Sequence, residues 1–487
     1  MGLVCFCAVL INMPMLRDCA TKRHKMYNYV SVPFALLCGF VSVLGASSAT
    51  IRVSVRTPGQ ITVEAELSSP MRSWSFRNAY AGVLGIAERV EDFRAENVTV
   101  RKIAPGEFRS EGEGTRISYN IKLSEPSAAE VSHVSWLVGD RGFLMFADLI
   151  PSDIATVHAQ FVLPVGWTVE STITPDANGQ YVTEPEKAVF LIGRSLRKMT
   201  KSVDGMTLDS VLSGDWPFKD SDVLQAATPV MKRYLTLTGF RLPQSSVILI
   251  APLPVAVGSV KWRAETRGST VLLLIDPNAG FKNWRGQLGV IFTHELLHLW
   301  VPNSLKLQGD YDWFFEGFTL YTALRTALEL KIINFKEFLD TLARVYDSYL
   351  SYSDNLSLLE ASERRWTSAG SLVYDKGMLV AFLYDLLIRR ESSGKTALAD
   401  RYRDLFGRSF ADGMDGNAVI ISVLALSPAI KDFTRSYIEN NKTLELEQML
   451  PAFGLSLDSS AKSSQLRVKP DLDSEQKRLL RSLGYTH

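Results

Sequence analysis

Cysteine is almost missing from this chain. Its four residues, Cys5, Cys7, Cys19 and Cys38, all lie within the first forty positions, so the remaining sequence can form neither disulfides nor cysteine-ligated metal sites. Charge of one sign is lacking too. Lys and Arg number 53 against 52 Asp and Glu, a formal net charge of +1, and the first 49 residues hold four basic side chains against Asp18 alone. The rest of the chain is thus slightly acidic, which argues against a nucleic-acid partner. Long apolar runs are limited to one, Val30 to Gly45, and its sixteen residues fall short of the ~20 that a membrane span needs. It follows the basic cluster "KRHK" and precedes the small residues "ASSA", which is the pattern of a secretory leader over 1–49, cleaved after Ala49. The chain is therefore expected to be exported, periplasmic or extracellular, and to touch a membrane only if the leader is retained. With 46% hydrophobic and 22% charged residues, what remains is ordinary globular material, long enough for several domains.

From Ile51 to Arg194 the pattern is one of short alternating runs, among them "IRVSVR", "ITVEAEL", "TRISYNIKL", "GFLMFADL" and "AVFLIG". Pro, Gly, Asp and Asn clusters separate them. This predicts an N-terminal antiparallel β domain over 50–205. His133 and His158 stand alone there and are expected to be structural or surface residues. "DGMTLDSVLSGDWPFKDS" reads as a turn-rich linker. A helix ("LQAATPVMKRYLTLTG"), two strands ("SSVILIAP" and "STVLLLID") and a second helix follow it, which gives an α+β domain over 206–335. Helical periodicity then continues over 336–455, and 456–487 reads as a polar tail with a short amphipathic helix.

The second of those helices carries "FTHELLHLW". His294 and His298 are four residues apart and so stand one turn apart on one face, with Glu295 beside them, in a segment otherwise apolar enough to be buried. Burying two imidazoles and a carboxylate without partners costs several kcal/mol, on the order of 2–7 for each polar group, and a metal ion would supply the partner. H-E-x-x-H is the zinc peptidase pattern, in which two neutral imidazoles hold the ion and the glutamate takes a proton from water. With only six histidines in the chain, a chance pair at this spacing with glutamate between is rare. A catalytic zinc commonly has three protein ligands, and Glu316 in "DWFFEGFTLYTAL", separated from His298 by seventeen intervening residues, is the candidate third. Its aromatic neighbours argue against a solvated glutamate.

"HELLHLW" followed by "WFFEGFTLY" resembles the gluzincin metallopeptidases, and more narrowly the glycyl aminopeptidase family, whose members pair this unit with a PDZ domain. "SLVYDKGMLVAFLYDLLIR" is similar to that family's Tyr-x-Lys-Gly helix, and "AETRGSTVLL" to its Glu-His-Arg-Asn-Ser-Thr edge strand. The resemblance implies a thermolysin-like catalytic domain between the β domain and the helical domain, with Zn2+ held by His294, His298 and Glu316. It further implies that Tyr374 hydrogen-bonds the oxyanion formed on the peptide carbonyl and that Glu265 holds the substrate's free amino group. Thr266 stands where the family has histidine, "WRA" replaces the usual glycines, and no PDZ-like segment is evident. The interval to Glu316 is nearer that of the larger aminopeptidase family. These departures bear on substrate preference. The expected activity is zinc-dependent hydrolysis of the N-terminal peptide bond of a peptide or protein. The alternatives are a catalytically inactive peptide-binding relative and a zinc hydrolase acting on a non-peptide substrate.

Overall fold

A computed structural model describes residues 47–56, 59–123, 125–127, 130–254, 261–278, 289–459 and 463–486. The expected leader lies outside these except for its last three residues. Those three open the strand Ser47–Arg56, in which Ala49, Ile51, Val53 and Val55 face inward as the alternation requires. A cut after Ala49 would remove the first three residues of that strand.

Ser47–Arg56 pairs antiparallel with Gln60–Ser75 and parallel with Ile154–Val162, inside a seven-stranded sheet. The β domain is therefore not wholly antiparallel. Alternation sets which face a residue takes but not which strand returns beside it, so this pair could not be read from pattern. A four-stranded sheet packs on the first. Its central strands, Arg141–Met145 and Val189–Arg194, are continuous apolar runs because both of their faces are covered. Leu144, Phe190 and Ile192 face the seven-stranded sheet, while Phe143, Met145 and Leu191 face a third sheet on the other side.

That third sheet runs in the order Arg197–Val203, Met206–Leu212, Ser246–Pro252, Thr270–Ile275 and Trp262–Arg267. Its three central strands are parallel and its two edge strands antiparallel. The segment expected to be a linker thus contains the strand Met206–Leu212. Its Asp209 and Ser210 hid the strand pattern, yet Ser210 is fully buried. Arg197–Val203, ahead of residue 205, pairs with it and so belongs to this sheet.

Leu208, Ile248, Ile250, Val271 and Leu273 cover the remaining face and meet the helices. The core they begin continues without a break to the helix Ser474–Ser482, where Leu479 and Leu480 are buried, as is Leu483 just beyond. The stretch read as a polar tail is accordingly packed structure, a hairpin of Leu455–Asp458 with Gln465–Val468 followed by that helix. It is also tied by hydrogen bonds. Arg389 Nη1 donates to Ser482 O at 2.7 Å, and Arg325 Nη1 donates to Leu483 O. Among the described residues no helix is long and apolar enough to cross a membrane.

Candidate metal centre

The helix Gly289–His298 is buried at every position from Val290 onward, which leaves its two imidazoles in an apolar setting. Helical spacing brings His294 Nε2 and His298 Nε2 to 3.0 Å. Glu316 Oε2 lies 3.3 Å from the first and 3.4 Å from the second. His298 Nδ1 donates to Val301 O at 2.8 Å, which assigns its proton to that nitrogen and leaves Nε2 as a lone pair. His294 Nδ1 faces Thr319 Oγ1 at 3.4 Å, and that hydroxyl itself donates to Phe315 O, which assigns the His294 proton in the same way. Three electron-pair donors therefore converge in a buried place, an arrangement that repels itself unless a cation stands among them. The donor set, two imidazole nitrogens and one carboxylate oxygen, fits a zinc ion.

Glu316 sits in the π-helical turn Trp313–Phe318, a wide turn that recurs at functional sites. This turn packs directly on the helix Gly370–Glu391 through two glycines. A Cβ on Gly317 would lie 2.5 Å from Gly377 Cα, so no larger residue fits between the segments that carry Glu316 and Tyr374. The Tyr-x-Lys-Gly pattern is explained by packing as well as chemistry. Gly377 allows the close approach, and Lys376 Nζ is buried against Leu356 O at 2.6 Å.

Glu295 points at the same place. The Thr266 hydroxyl donates to its Oε2 at 2.7 Å, and burial pushes its carboxyl above the ordinary 4.5 against the pull of His298 and His294. Tyr374 opens on the same cleft, its phenol kept protonated by burial. Arg365, unmarked by any motif, joins these groups. Its Nη2 donates to Glu316 Oε1 at 2.6 Å and to Tyr374 Oη at 2.8 Å, and its Nη1 donates to Asp312. The guanidinium lies 4.2 Å over the Trp366 ring. Burial alone would raise the Glu316 carboxyl; Arg365 and then His298 outweigh it and hold the group well below 4.5.

Glu265, expected to hold the substrate's amino group, lies on the edge strand Trp262–Arg267 and lines the cleft, but its carboxylate is already engaged. Oε1 accepts from Tyr80 Oη at 2.9 Å and from Arg267 Nε at 2.6 Å, and Oε2 meets His133 Nδ1. Arg267 Nη2 donates in turn to His133 O at 2.8 Å, and its guanidinium lies 4.2 Å over the Tyr80 ring. His133 is thus half of a contact between the β domain and the edge strand, which a lone histidine in a strand-rich segment gave no means of finding. Thr266 was visible only as a mismatch to a family pattern, and Arg365 followed no spacing at all.

No protein-family model matches the chain, and no curated protein sequence matches it. Solved structures do. An aminopeptidase N family protein from Idiomarina loihiensis superposes with a TM-score of 0.71 at 18% identity, covering 85% of this chain and 79% of that one. An M1 zinc metallopeptidase from Deinococcus radiodurans, in a variant bound to Tyr-Ser-Ala, superposes with a TM-score of 0.54 at 13% identity, covering 82% of this chain and 94% of that one. The same enzyme in a second structure gives a TM-score of 0.52 at 14% identity. At such identities the likeness is one of architecture, and in architecture this chain is built as those zinc metallopeptidases are.

Proposed function

We propose that the chain is a zinc-dependent peptidase with a thermolysin-like catalytic unit, exported by its leader. One observation carries the reading: His294 Nε2, His298 Nε2 and Glu316 Oε2 converge in a buried cluster with the carboxylate of Glu295 facing it. Zinc held there would supply an acidified water and a polarised substrate carbonyl. The chain does the rest. Glu295, oriented by Thr266, accepts the proton that water loses as its oxygen bonds to the carbonyl carbon, then passes that proton to the amine nitrogen as the C–N bond breaks. Tyr374, positioned through Arg365, donates its phenol hydrogen bond to the oxyanion, which commonly contributes roughly 2.7–4 kcal/mol in the transition state.

The descriptions of the structural neighbours, one as an aminopeptidase N family protein and one bound to Tyr-Ser-Ala, favour removal of N-terminal residues. That finer reading needs a carboxylate for the substrate's amine, and Glu265, the residue expected to provide it, is occupied by Tyr80, Arg267 and His133. The test of the broader reading is a single variant. Glu295→Gln should retain about one zinc per chain by elemental analysis while peptide hydrolysis falls by a factor of about 10² or more. Full activity in that variant would assign the base elsewhere, and a parent protein that binds no zinc would overturn the reading.

A further inference from the structure

Of the aromatic side chains among the described residues, one stands exposed. Trp366 is 53% exposed, whereas every other described Trp, Tyr and Phe is buried or half-buried. A lone exposed apolar residue needs no explanation; the place of this one does. It lines the cleft that also takes in His294, Glu295, Glu316 and Tyr374. Its position is the turn between the helices Leu358–Glu363 and Gly370–Glu391, directly after the arginine that joins metal ligand and phenol.

The indole is held from behind. Its turn is closed by the Arg364 carbonyl, which accepts from the backbone N–H groups of Thr367 at 3.0 Å, Ala369 at 3.1 Å and Ser368 at 3.2 Å. The Arg365 guanidinium lies 4.2 Å from the centre of the Trp366 ring and is itself fixed by Glu316, Tyr374 and Asp312. One guanidinium therefore separates the ring from the metal ligand and from the phenol. Because Glu316 and Asp312 neutralise that guanidinium, the part of the ring left uncovered offers the cleft apolar surface without a free charge behind it. Phe315, half-buried, lies 5.5 Å from the same guanidinium and lines the cleft as well. Aromatic surface that is already fixed loses little conformational freedom when a ligand covers it, which favours binding.

We propose that Trp366, with Phe315 beside the same guanidinium, forms a subsite for the side chain of a residue flanking the scissile bond. The subsite selects large apolar or aromatic side chains over small ones. This rests on the zinc peptidase reading and deepens it by naming the substrate class. Trp366 is then a specificity residue that touches substrate, and its packing on Arg365 fixes the subsite relative to the reacting centre.

The test uses the full zinc-loaded chain and free-amine peptides of about eight residues. Mass spectrometry first locates the cut, and the residues on its two sides are then varied one at a time among Ala, Leu and Phe. Covering a large apolar side chain in such a subsite commonly favours it by about 10- to 100-fold over a small one. At one of the two positions kcat/KM for Phe should accordingly exceed that for Ala by about that factor. In Trp366→Ala the ratio should fall to about threefold or less, and Trp366→Phe should keep most of it. A ring that only braces Arg365 would, when removed, lower kcat on all peptides alike and leave the ratio where it was. That result, or a parent protein with no preference at either position, would overturn the proposal and leave the zinc peptidase reading standing. Absence of hydrolysis of every peptide by protein with stoichiometric zinc would overturn both.

Discussion

At the scale of single residues, the centre depends on a cation that no motif announces. Arg365 places one guanidinium nitrogen on both the ligand Glu316 and the phenol of Tyr374, and spends its other nitrogen on Asp312. Partners behind metal ligands commonly contribute 10- to 100-fold in metal affinity or activity. Arg365→Met should therefore weaken zinc binding by about that factor, measured by competition with a chromogenic chelator, and lower kcat more than it raises KM. Added guanidinium should restore part of the lost rate. Arg365→Lys should not, because a point charge cannot serve two acceptors in the fixed geometry of the fork. Unchanged zinc affinity and unchanged kcat in Arg365→Met would return the residue to a packing role. His294, Glu295, His298 and Glu316 were legible because metal chemistry imposes a helical spacing on ligands and an apolar setting around them. Arg365 was not, since a side chain that reaches its partners across a loop obeys no period.

At the scale of elements, the site is set by how closely the turn Trp313–Phe318 approaches the helix Gly370–Glu391. Neither Gly317 nor Gly377 has the positive φ that would demand glycine for its backbone, so space alone holds them. In a helix alanine is intrinsically better than glycine by about 1 kcal/mol. Any loss on substitution must therefore come from the contact. A Cβ on Gly377 would lie 2.9 Å from Gly317 Cα and 3.0 Å from Trp313 O, both backbone atoms that cannot swing aside. Gly377→Ala should cost about 1–3 kcal/mol in urea unfolding and reduce zinc affinity, because the displaced turn carries Glu316. Gly407→Ala, where an added Cβ meets nothing within 4 Å, should be neutral or mildly stabilising. Equal behaviour of the two variants would show that the approach is not tight. The helices were legible in sequence through their period, and so were most strands. The strand Met206–Leu212 escaped because its buried Ser210 and its Asp209 imitate a turn, and the last helix escaped as packed structure because four basic or acidic side chains outnumber its two buried leucines.

At the scale of the whole molecule, three sheets are stacked ahead of a helical core, and the cluster around Glu265 joins the β domain to the third sheet at the rim of the cleft. Burial alone would raise the Glu265 carboxyl, yet Arg267 and then His133 hold it at about 2, against an ordinary 4.5. The contribution of this tie to stability is fully present above about pH 4.5 and is lost as the pH falls toward 2; by linkage it is on the order of 3 kcal/mol. Thermal melts of the parent and of Glu265→Gln should differ most at neutral pH and converge only as the pH approaches about 2. A gap that does not change with pH would mean that the carboxylate charge is not what the tie uses. A different consequence follows from the packed C-terminal helix. Arg325 and Arg389 lie on the helices that follow Glu316 and carry Tyr374, and their backbone acceptors are Leu483 O and Ser482 O, at and just past the end of that helix. Without those carbonyls the two guanidiniums would be buried lacking these acceptors. The helices beside the metal centre are thus tied to a segment 93 and 158 residues further along the chain, and deleting the helix Ser474–Ser482 together with Leu483 is expected to loosen the setting of Glu316 and Tyr374.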